Sequence, residues 1–325
     1  MDNKKKYNMF CERTYVPIYS KPFWMDVVCG KSNWDVWLYE CSGEVFAAMP
    51  YYLKTKGKYK SITKAPLSQN NGIIFRYPQG AKSIKIQKFE EEVIEQANEF
   101  IVKLELDVYE QQYQYTFTNW LPFFWKHYTA IPRYTYVIEQ TEDVEKVFEN
   151  ISSKYRKNIR KGSRNGIAKE GLEPEIFYQE HNKIFEKQGL SCPFSYPLWQ
   201  ELYNKCMENN CGKILYSDDV NGNITSVLFI VWDEVAVYNL LGGGIPGFQN
   251  LETYDMLIWE AIKFASRKGL KYDFEGSVIK RISKSYREFG GVPKQYFRIR
   301  KIFNPEIIRD EAEQRIKEIK NEKRV

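Results

Sequence analysis

The sequence is nearly without histidine. With only His127 and His181 in 325 residues, a histidine metal site or a Ser-His-Asp triad has few candidates, and each imidazole is expected to be partly buried or on the surface. The six cysteines, at 11, 29, 41, 192, 206 and 211, never occur as C-x-x-C and lie far from any zinc-ligand spacing. Reduced thiols are expected, with no metal site and no tightly bound cofactor. No uncharged apolar run reaches 18 residues, and the opening MDNKKKYN leads into no apolar h-region. Neither a membrane span nor a signal peptide is therefore expected, and the expected location is the cytoplasm.

Acidic residues are missing from one place in particular. Between Lys154 and Lys169 stand Lys154, Arg156, Lys157, Arg160, Lys161, Arg164 and Lys169, with no Asp or Glu among them. Set those seven aside and the net charge of +6 disappears, so the positive character is one local patch. Lys154, Lys157, Lys161 and Arg164 recur every three or four residues and share one face of a helix. Such a stripe suits phosphate groups, whether of tRNA, a nucleotide sugar, coenzyme A or a lipid-linked precursor at a membrane face.

What is present reads as an α+β chain long enough for two domains. Trp37 to Glu40 and Glu44 to Leu53 read as strands joined at Cys41-Ser42-Gly43, with Pro50 marking a bulge or an edge. A short strand follows at Ile73 to Phe75, and a helix at 84–105 carries the stripe Ile86, Phe89, Val93, Ala97, Phe100, Ile101, Leu104. The segment NWLPFFWK, then YTYVIE, is aromatic and strand-like. A helix is expected from Asp143 to about Arg164, a strand near Glu175 to Tyr178, and helices around His181 to Gln188 and Tyr196 to Asn209. Strands at Lys213 to Ser217 and Ile224 to Trp232 flank Asn221-Gly222, and a third runs from Val235 to Leu241. LYECSGEVFAAMPYYL and LYSDDVNGNITSVLFIV share a strand-turn-strand pattern ahead of comparable helices, which supports two copies of one unit. Residues 304–325, with balanced charges on a helical pattern, read as a solvated terminal helix.

The chain is organised around Asn239 to Gly291. Gly242, Gly243 and Gly244 end an apolar run; a helix over 251–268 follows, with Asn250 as its expected N-cap and Gly269 as its stop. A strand at Leu270 to Phe274 leads to Glu275-Gly276-Ser277, and a second helix stops at Gly290-Gly291. Glycine lets backbone approach a ligand closely, so Gly242 to Gly244 could offer N–H groups to an oxyanion. Asp273 and Glu275, two apart on a strand, would point to one face, as proton acceptors or substrate-positioning groups.

The sequence YDFEGS, followed some ten residues on by YREFGG, resembles the signature of the Fem peptidyltransferases (FemABX) and their relatives among the Gcn5-related (GNAT) acyltransferases. SSKYRKNIRKGSRNGI at 152–167 is similar to the basic helix that opens the second domain of that family. The resemblance implies two tandem GNAT-like subdomains, each a twisted mixed sheet flanked by helices, with a cleft between them: residues 1–140, 141–303 and a helical tail 304–325. It implies an acyl- or aminoacyltransferase forming an amide on an amine of a cell-envelope precursor, a peptidoglycan peptide or an amino sugar, with aminoacyl-tRNA or acyl-CoA as co-substrate. Asp273, Glu275 and Tyr286 are then the catalytic candidates. Lys154, Lys157, Arg160, Lys161, Arg164, Gly242, Gly243, Gly244, Tyr254, Lys284 and Arg287 are the candidates for binding substrate or phosphate. Implied partners are tRNA, the envelope precursor and a peripheral membrane contact.

Three departures from the family pattern matter. GFQNLETY at 247–254 does not match the Q/R-x-x-G-x-G/A loop that acetyl-CoA-binding members use. Tyr286 stands where the Fem pattern has a lysine thought to help transfer, with Lys284 and Arg287 close by. GLSCPFSYPLW at 189–199 lacks the arginine with which Fem enzymes hold nucleotide-linked muropeptides. The alternative reading is a non-catalytic RNA- or membrane-surface-binding protein that retains the fold.

Overall fold

A computed structural model describes residues 2–322. The chain forms two compact units, one of residues up to Pro132 together with those from Tyr296 onward, the other Arg133–Gln295. The chain passes from the first unit to the second between 132 and 133 and returns to the first at 296.

The first unit opens with two helices that the sequence reading did not anticipate, α1 (Asn3–Arg13) and α2 (Pro22–Cys29), followed by β1 (Trp34–Cys41), β2 (Glu44–Lys56), β3 (Tyr59–Thr63) and β4 (Ile74–Phe75). Then come α3 (Ser83–Lys103), β5 (Val108–Gln112) and α4 (Leu121–Trp125), and β6 (Thr129–Ile138) carries the chain into the second unit. Pro50 pairs with Val36 of β1, while on its other side β2 meets β4 only at Ala47–Ala48 and β3 only from Tyr52 on. Proline, which has no N–H to give a ladder, sits in the gap between those partners. The α3 stripe Val93, Ala97 and Ile101 is buried with Ile62, Tyr109, Tyr113 and Phe123 in the core of this unit.

The second unit contains α5 (Val144–Asn150), α6 (Ser153–Asn165), β7 (Ala168–Glu170), α7 (Pro174–Glu186), α8 (Tyr196–Glu208), β8 (Gly212–Asp218), β9 (Ile224–Trp232), β10 (Ala236–Gly244), α9 (Thr253–Lys268), β11 (Lys271–Asp273) and α10 (Lys280–Glu288). From there β12 (Val292–Ile302) leads back to the first unit, where it pairs with β5, and α11 (Pro305–Glu322) follows. The strand order is β1-β2-β3-β5-β12 in the first unit and β6-β11-β10-β9-β8-β7 in the second. Both are mixed: β3 and β5 are parallel in one, β10 and β11 in the other, whereas β1–β2, β2–β3, β5–β12, β6–β11, β10–β9, β9–β8 and β8–β7 are antiparallel. The core of the second unit packs Met256, Leu257, Ala261 and Ile262 of α9 against Leu228 and Ile230 of β9 and Tyr272 of β11.

Several expected elements are corrected. The helix over 143–164 is two helices, because Ile151 is extended and Ser152 caps α6 by accepting from the Tyr155 N–H at 3.5 Å. Glu175 to Tyr178 is the first turn of α7; Pro174 at N1 is preorganised for a helix start, which outweighs the β-like Ile-Phe-Tyr run. Asn250 does not cap α9. It lies in a 3₁₀ turn, and Glu252 occupies the cap position with φ +60°. The stop at Gly269 is as expected, with φ +66°. Residues 323–325 of the expected tail lie outside the described range; Glu306 and Glu311 of α11 pair with Lys58 and Arg300 of the first unit. Among the described residues no helix is long and apolar enough to cross a membrane.

Candidate active site

β10 begins beside β11 and ends without it. Ala236, Val237 and Tyr238 pair in parallel with Lys271, Tyr272 and Asp273, after which β11 stops. β10 continues to Gly244, held only by β9. The β9 register slips between Asn239 and Leu241: Asn239 opposes Ile230 and Leu241 opposes Phe229, leaving Leu240 as an extra residue. A bulge of this kind bends the strand and re-aims its groups. From Asn239 to Gly244 the edge turned away from β9 pairs with no strand among the described residues. Alternate N–H groups of an antiparallel strand point out of that edge.

The three glycines lie within β10, each with a different reason. A Cβ on Gly242 would stand 2.6 Å from the Val227 carbonyl oxygen, and one on Gly243 2.8 Å from Ile184 Cδ1 of α7. Gly244 has only Tyr254 Cβ nearby, at 3.8 Å, so the strand end is open toward the first turn of α9.

At the mouth of the parted strands Asp273 is buried and does structural work: one carboxylate oxygen accepts from the Thr135 hydroxyl and, at 2.8 Å, from the Glu275 N–H. That bond tightens the turn, and Glu275 takes φ +66°. The expectation that the two carboxylates share a face of an extended strand is therefore corrected. Gly276 follows at φ +70°, where a Cβ would stand 2.2 Å from the Tyr134 carbonyl oxygen. Glu275 Oε1 is shut off from solvent without a hydrogen-bond partner. Burial pushes this carboxyl well above the usual carboxylate range.

Three phenols lie within electrostatic reach of one another here, and one of them, Tyr286, is also within reach of that carboxyl. Burial keeps Tyr286 protonated, with Tyr254, Glu275 and Asp273 within electrostatic reach of it. Its ring packs 4.8 Å from Phe274. Burial raises Tyr254 to about 12, offset in part by its hydrogen bond with Asn239. Burial raises Tyr272 too, and its hydroxyl has no partner. Asn239, Tyr272 and Thr135 belong to this cluster and were missed in the sequence, although the asparagine inside the apolar run AVYNLL was a signal.

The basic residues lie on the surface of the same unit. Lys154, Lys157, Arg160, Lys161 and Arg164 of α6 are exposed, and none of the ion pairs found reaches them. Lys169, by contrast, is paired with Asp218 at 2.6 Å. Lys284 and Arg287 on α10 are likewise exposed, and among the described residues no ion pair reaches them. The Ser152 N–H donates to the Glu288 carbonyl at 2.8 Å, so the start of α6 adjoins the end of α10. The α9 N-terminus is acidic instead. Asp255 accepts from Asn158 Nδ2 at 2.8 Å, and burial, with Glu252 adding to it, raises Asp255 to about 6.

Residues 150–278 match the acetyltransferase (GNAT) domain family. The fold is that of FemX, with a TM-score of 0.69 over 95% of this chain and 98% of that one at 10% identity. L-PGS from Bacillus licheniformis gives a TM-score of 0.53, covering 91% of this chain and 90% of that one at 11% identity. The C-terminal domain of an Agrobacterium fabrum protein named as a lysylphosphatidylglycerol synthetase gives 0.55, with 91% of each chain covered at 10% identity. No curated protein sequence matches the chain. Residues 150–278 are thus similar to the GNAT acetyltransferase domain, within a chain whose fold is similar to that of FemX.

Proposed function

We propose that the protein is an N-acyltransferase that moves an aminoacyl group from tRNA to an amine of a cell-envelope precursor, a peptidoglycan peptide or an amino sugar. The observation that carries this reading is the free edge of β10 together with a desolvated carboxyl, Glu275, just past the end of the neighbouring β11, whose Oε1 has no hydrogen-bond partner. An acyl transfer needs little more than donors for an oxyanion, an acceptor for the ammonium proton and a means of holding both substrates in line.

In this scheme the acceptor ammonium sits against Glu275, and its positive charge favours the carboxylate form. A carboxylate whose proton affinity is raised by burial is a better base than an ordinary one, and it takes the ammonium proton. The amine nitrogen then attacks the ester carbonyl carbon, and N–H groups of the β10 edge receive the oxyanion. The ester C–O bond breaks with its electron pair on the ribose oxygen, which takes a proton from the Tyr286 or Tyr254 phenol, and the phenolate so formed takes the second proton of the attacking nitrogen. The products are an amide and a free ribose hydroxyl.

The charge layout favours tRNA over coenzyme A. A diphosphate is bound well by a bare helix N-terminus, but α9 carries Glu252 at its cap and Asp255 in its first turn, whereas α6 and α10 offer cations to a longer polyanion. Sharing a fold with FemX, and with a protein named for making lysylphosphatidylglycerol, also supports aminoacyl transfer at the cell envelope.

The test is mass spectrometry of muropeptide and amino-sugar acceptors after incubation with the protein and either a pool of aminoacyl-tRNAs or acetyl-CoA. An amino-acid mass gained only with charged tRNA is expected. Acetylation from coenzyme A alone would replace the donor. No transfer from either, alongside salt-sensitive tRNA binding, would put the non-catalytic reading in its place.

A further inference from the structure

The segment NWLPFFWKHY takes no part in the site of the second unit. In the first unit it forms α4, whose two sides differ sharply. Pro122 and Phe123 are buried, Phe123 against Tyr109, Tyr113, Phe117 and Tyr128. Leu121, Phe124 and Trp125, at i, i+3 and i+4, share the opposite face and are 48%, 55% and 53% exposed. A single exposed apolar side chain needs no explanation; three large ones on adjoining turns, two of them aromatic, do.

The patch is held firmly. His127 closes the helix with φ +64°, and the Tyr128 N–H returns to the Phe123 carbonyl at 3.0 Å, the crossed bond of a left-handed helix stop. Trp120 packs on Phe124 and on Phe297 from behind. The exposed face is therefore not the loose end of a fraying turn.

Its charged surroundings choose the partner. Lys301 of β12 donates to the Lys126 carbonyl at 2.7 Å while lying over the Tyr128 and Phe303 rings. Burial, and then the ammonium of Lys126, push the Lys301 pKa down. Two cations are thus held together at the edge of the apolar face, and among the described residues no ion pair reaches either of them. The acid tied to this region, Glu90, accepts from Asn119 and Tyr77. Tryptophan and phenylalanine beside lysine suit the headgroup level of a bilayer, where the rings sit among acyl chains and the ammonium groups meet lipid phosphate.

We propose that Leu121, Phe124 and Trp125, flanked by Lys126 and Lys301, dock the first unit onto an anionic membrane surface. The contact is peripheral and reversible, since three side chains and two charges fall far short of an irreversible anchor.

The experiment is sedimentation of the full chain with vesicles of phosphatidylcholine alone or with about one-third phosphatidylglycerol. It would be run for wild type, F124S/W125S and K126E, with circular dichroism and melting to show that each variant folds. Wild type should partition onto the anionic vesicles and weakly onto the neutral ones. F124S/W125S should lose about 10- to 100-fold in partitioning, from two large side chains no longer buried in lipid, and K126E should lose most of the anionic preference. Brominated phosphatidylglycerol should quench wild-type tryptophan emission more than that of W125F. Binding unchanged in F124S/W125S, no binding to anionic vesicles, or a patch that mediates self-association instead, read by sedimentation velocity, would each overturn the proposal. Vesicle binding is read without turnover, so its failure is separable from failure of the transferase reading.

Discussion

Replacing Glu275 by glutamine tests the site through both stability and rate. In the folded chain burial raises this carboxyl well above the usual carboxylate range, and Oε1 has no partner. The folded state therefore holds the proton more tightly than the unfolded state does. Stability from this group is complete below the ordinary carboxylate pKa and is lost as pH rises toward the folded value. Within that window one proton changes stability by about 1.4 kcal/mol per pH unit. A kilocalorie shifts the melting temperature of a unit of this size by roughly 2–4 °C, so wild type should lose about 3–6 °C per pH unit relative to E275Q. The assay is a pair of thermal melts from pH 4 to 8 in one buffer series. E275Q should match wild type at the acid end and exceed it progressively above pH 5. Its transfer rate should fall by about 10²- to 10⁴-fold, the usual contribution of a positioned base. Parallel melting profiles would show that the carboxyl is not desolvated, and the proposed proton acceptor would go with it.

Two further outcomes follow from the same geometry. Gly242→Ala drives a Cβ to within 2.6 Å of a backbone carbonyl in β9, whereas Gly243→Ala meets the tip of the flexible Ile184 side chain; urea unfolding should show about 1–3 kcal/mol lost for the first and under about 1 for the second. Removing Lys157 and Lys161 together should reduce the slope of log K against log salt for tRNA binding by about 1.4–1.8, two phosphate contacts at about 0.7–0.9 each. An unchanged slope would move the polyanion off α6.

Much of the second unit was legible because its signals are local. Gly269 takes the left-handed conformation that few other residues adopt cheaply, and the α9 stripe through Leu257, Ala261 and Ile262 matches the helical period. The basic stripe of α6 was readable for the same reason, since four residues spaced by three or four must share a face. What failed depended on choices between competing local signals. Ile176 to Tyr178 looks like a strand until Pro174 decides for a helix, and Ser152 splits one apparent helix into two by offering its own cap. The site was only half legible. Glu275 was singled out as a candidate, but not its left-handed backbone, which goes with a hydrogen bond to Asp273, itself bonded to Thr135, 138 residues away in sequence. Asn239 and Tyr272 join the cluster through pairing across strands, which no window of a single segment contains. The first unit's opening helices α1 and α2 escaped notice because their composition, NKKKYNMFCER and PFWMDVVC, shows little periodicity.

The distribution of charge over the second unit separates two donors that the fold alone would accept equally. A helix N-terminus attracts a diphosphate through unpaired N–H groups and the helix dipole. At α9 that attraction is opposed by Glu252 at the cap and by Asp255 in the first turn, the latter only partly neutralised at its raised pKa of about 6. Gly162 of α6 leaves no room there either, since a Cβ on it would lie 2.5 Å from the Glu252 carbonyl oxygen. If these carboxylates exclude coenzyme A, then E252Q/D255N should bind it more tightly. At about 0.3–1 kcal/mol for each charge at a helix end, the gain is about 3- to 30-fold, measured by calorimetry at pH 7.5, above the raised pKa of Asp255. Affinity for tRNA, which rests on α6 and α10, should change far less. A double variant with wild-type coenzyme A affinity would mean that the diphosphate was never directed to this helix, and the preference for tRNA would then rest on the basic faces alone.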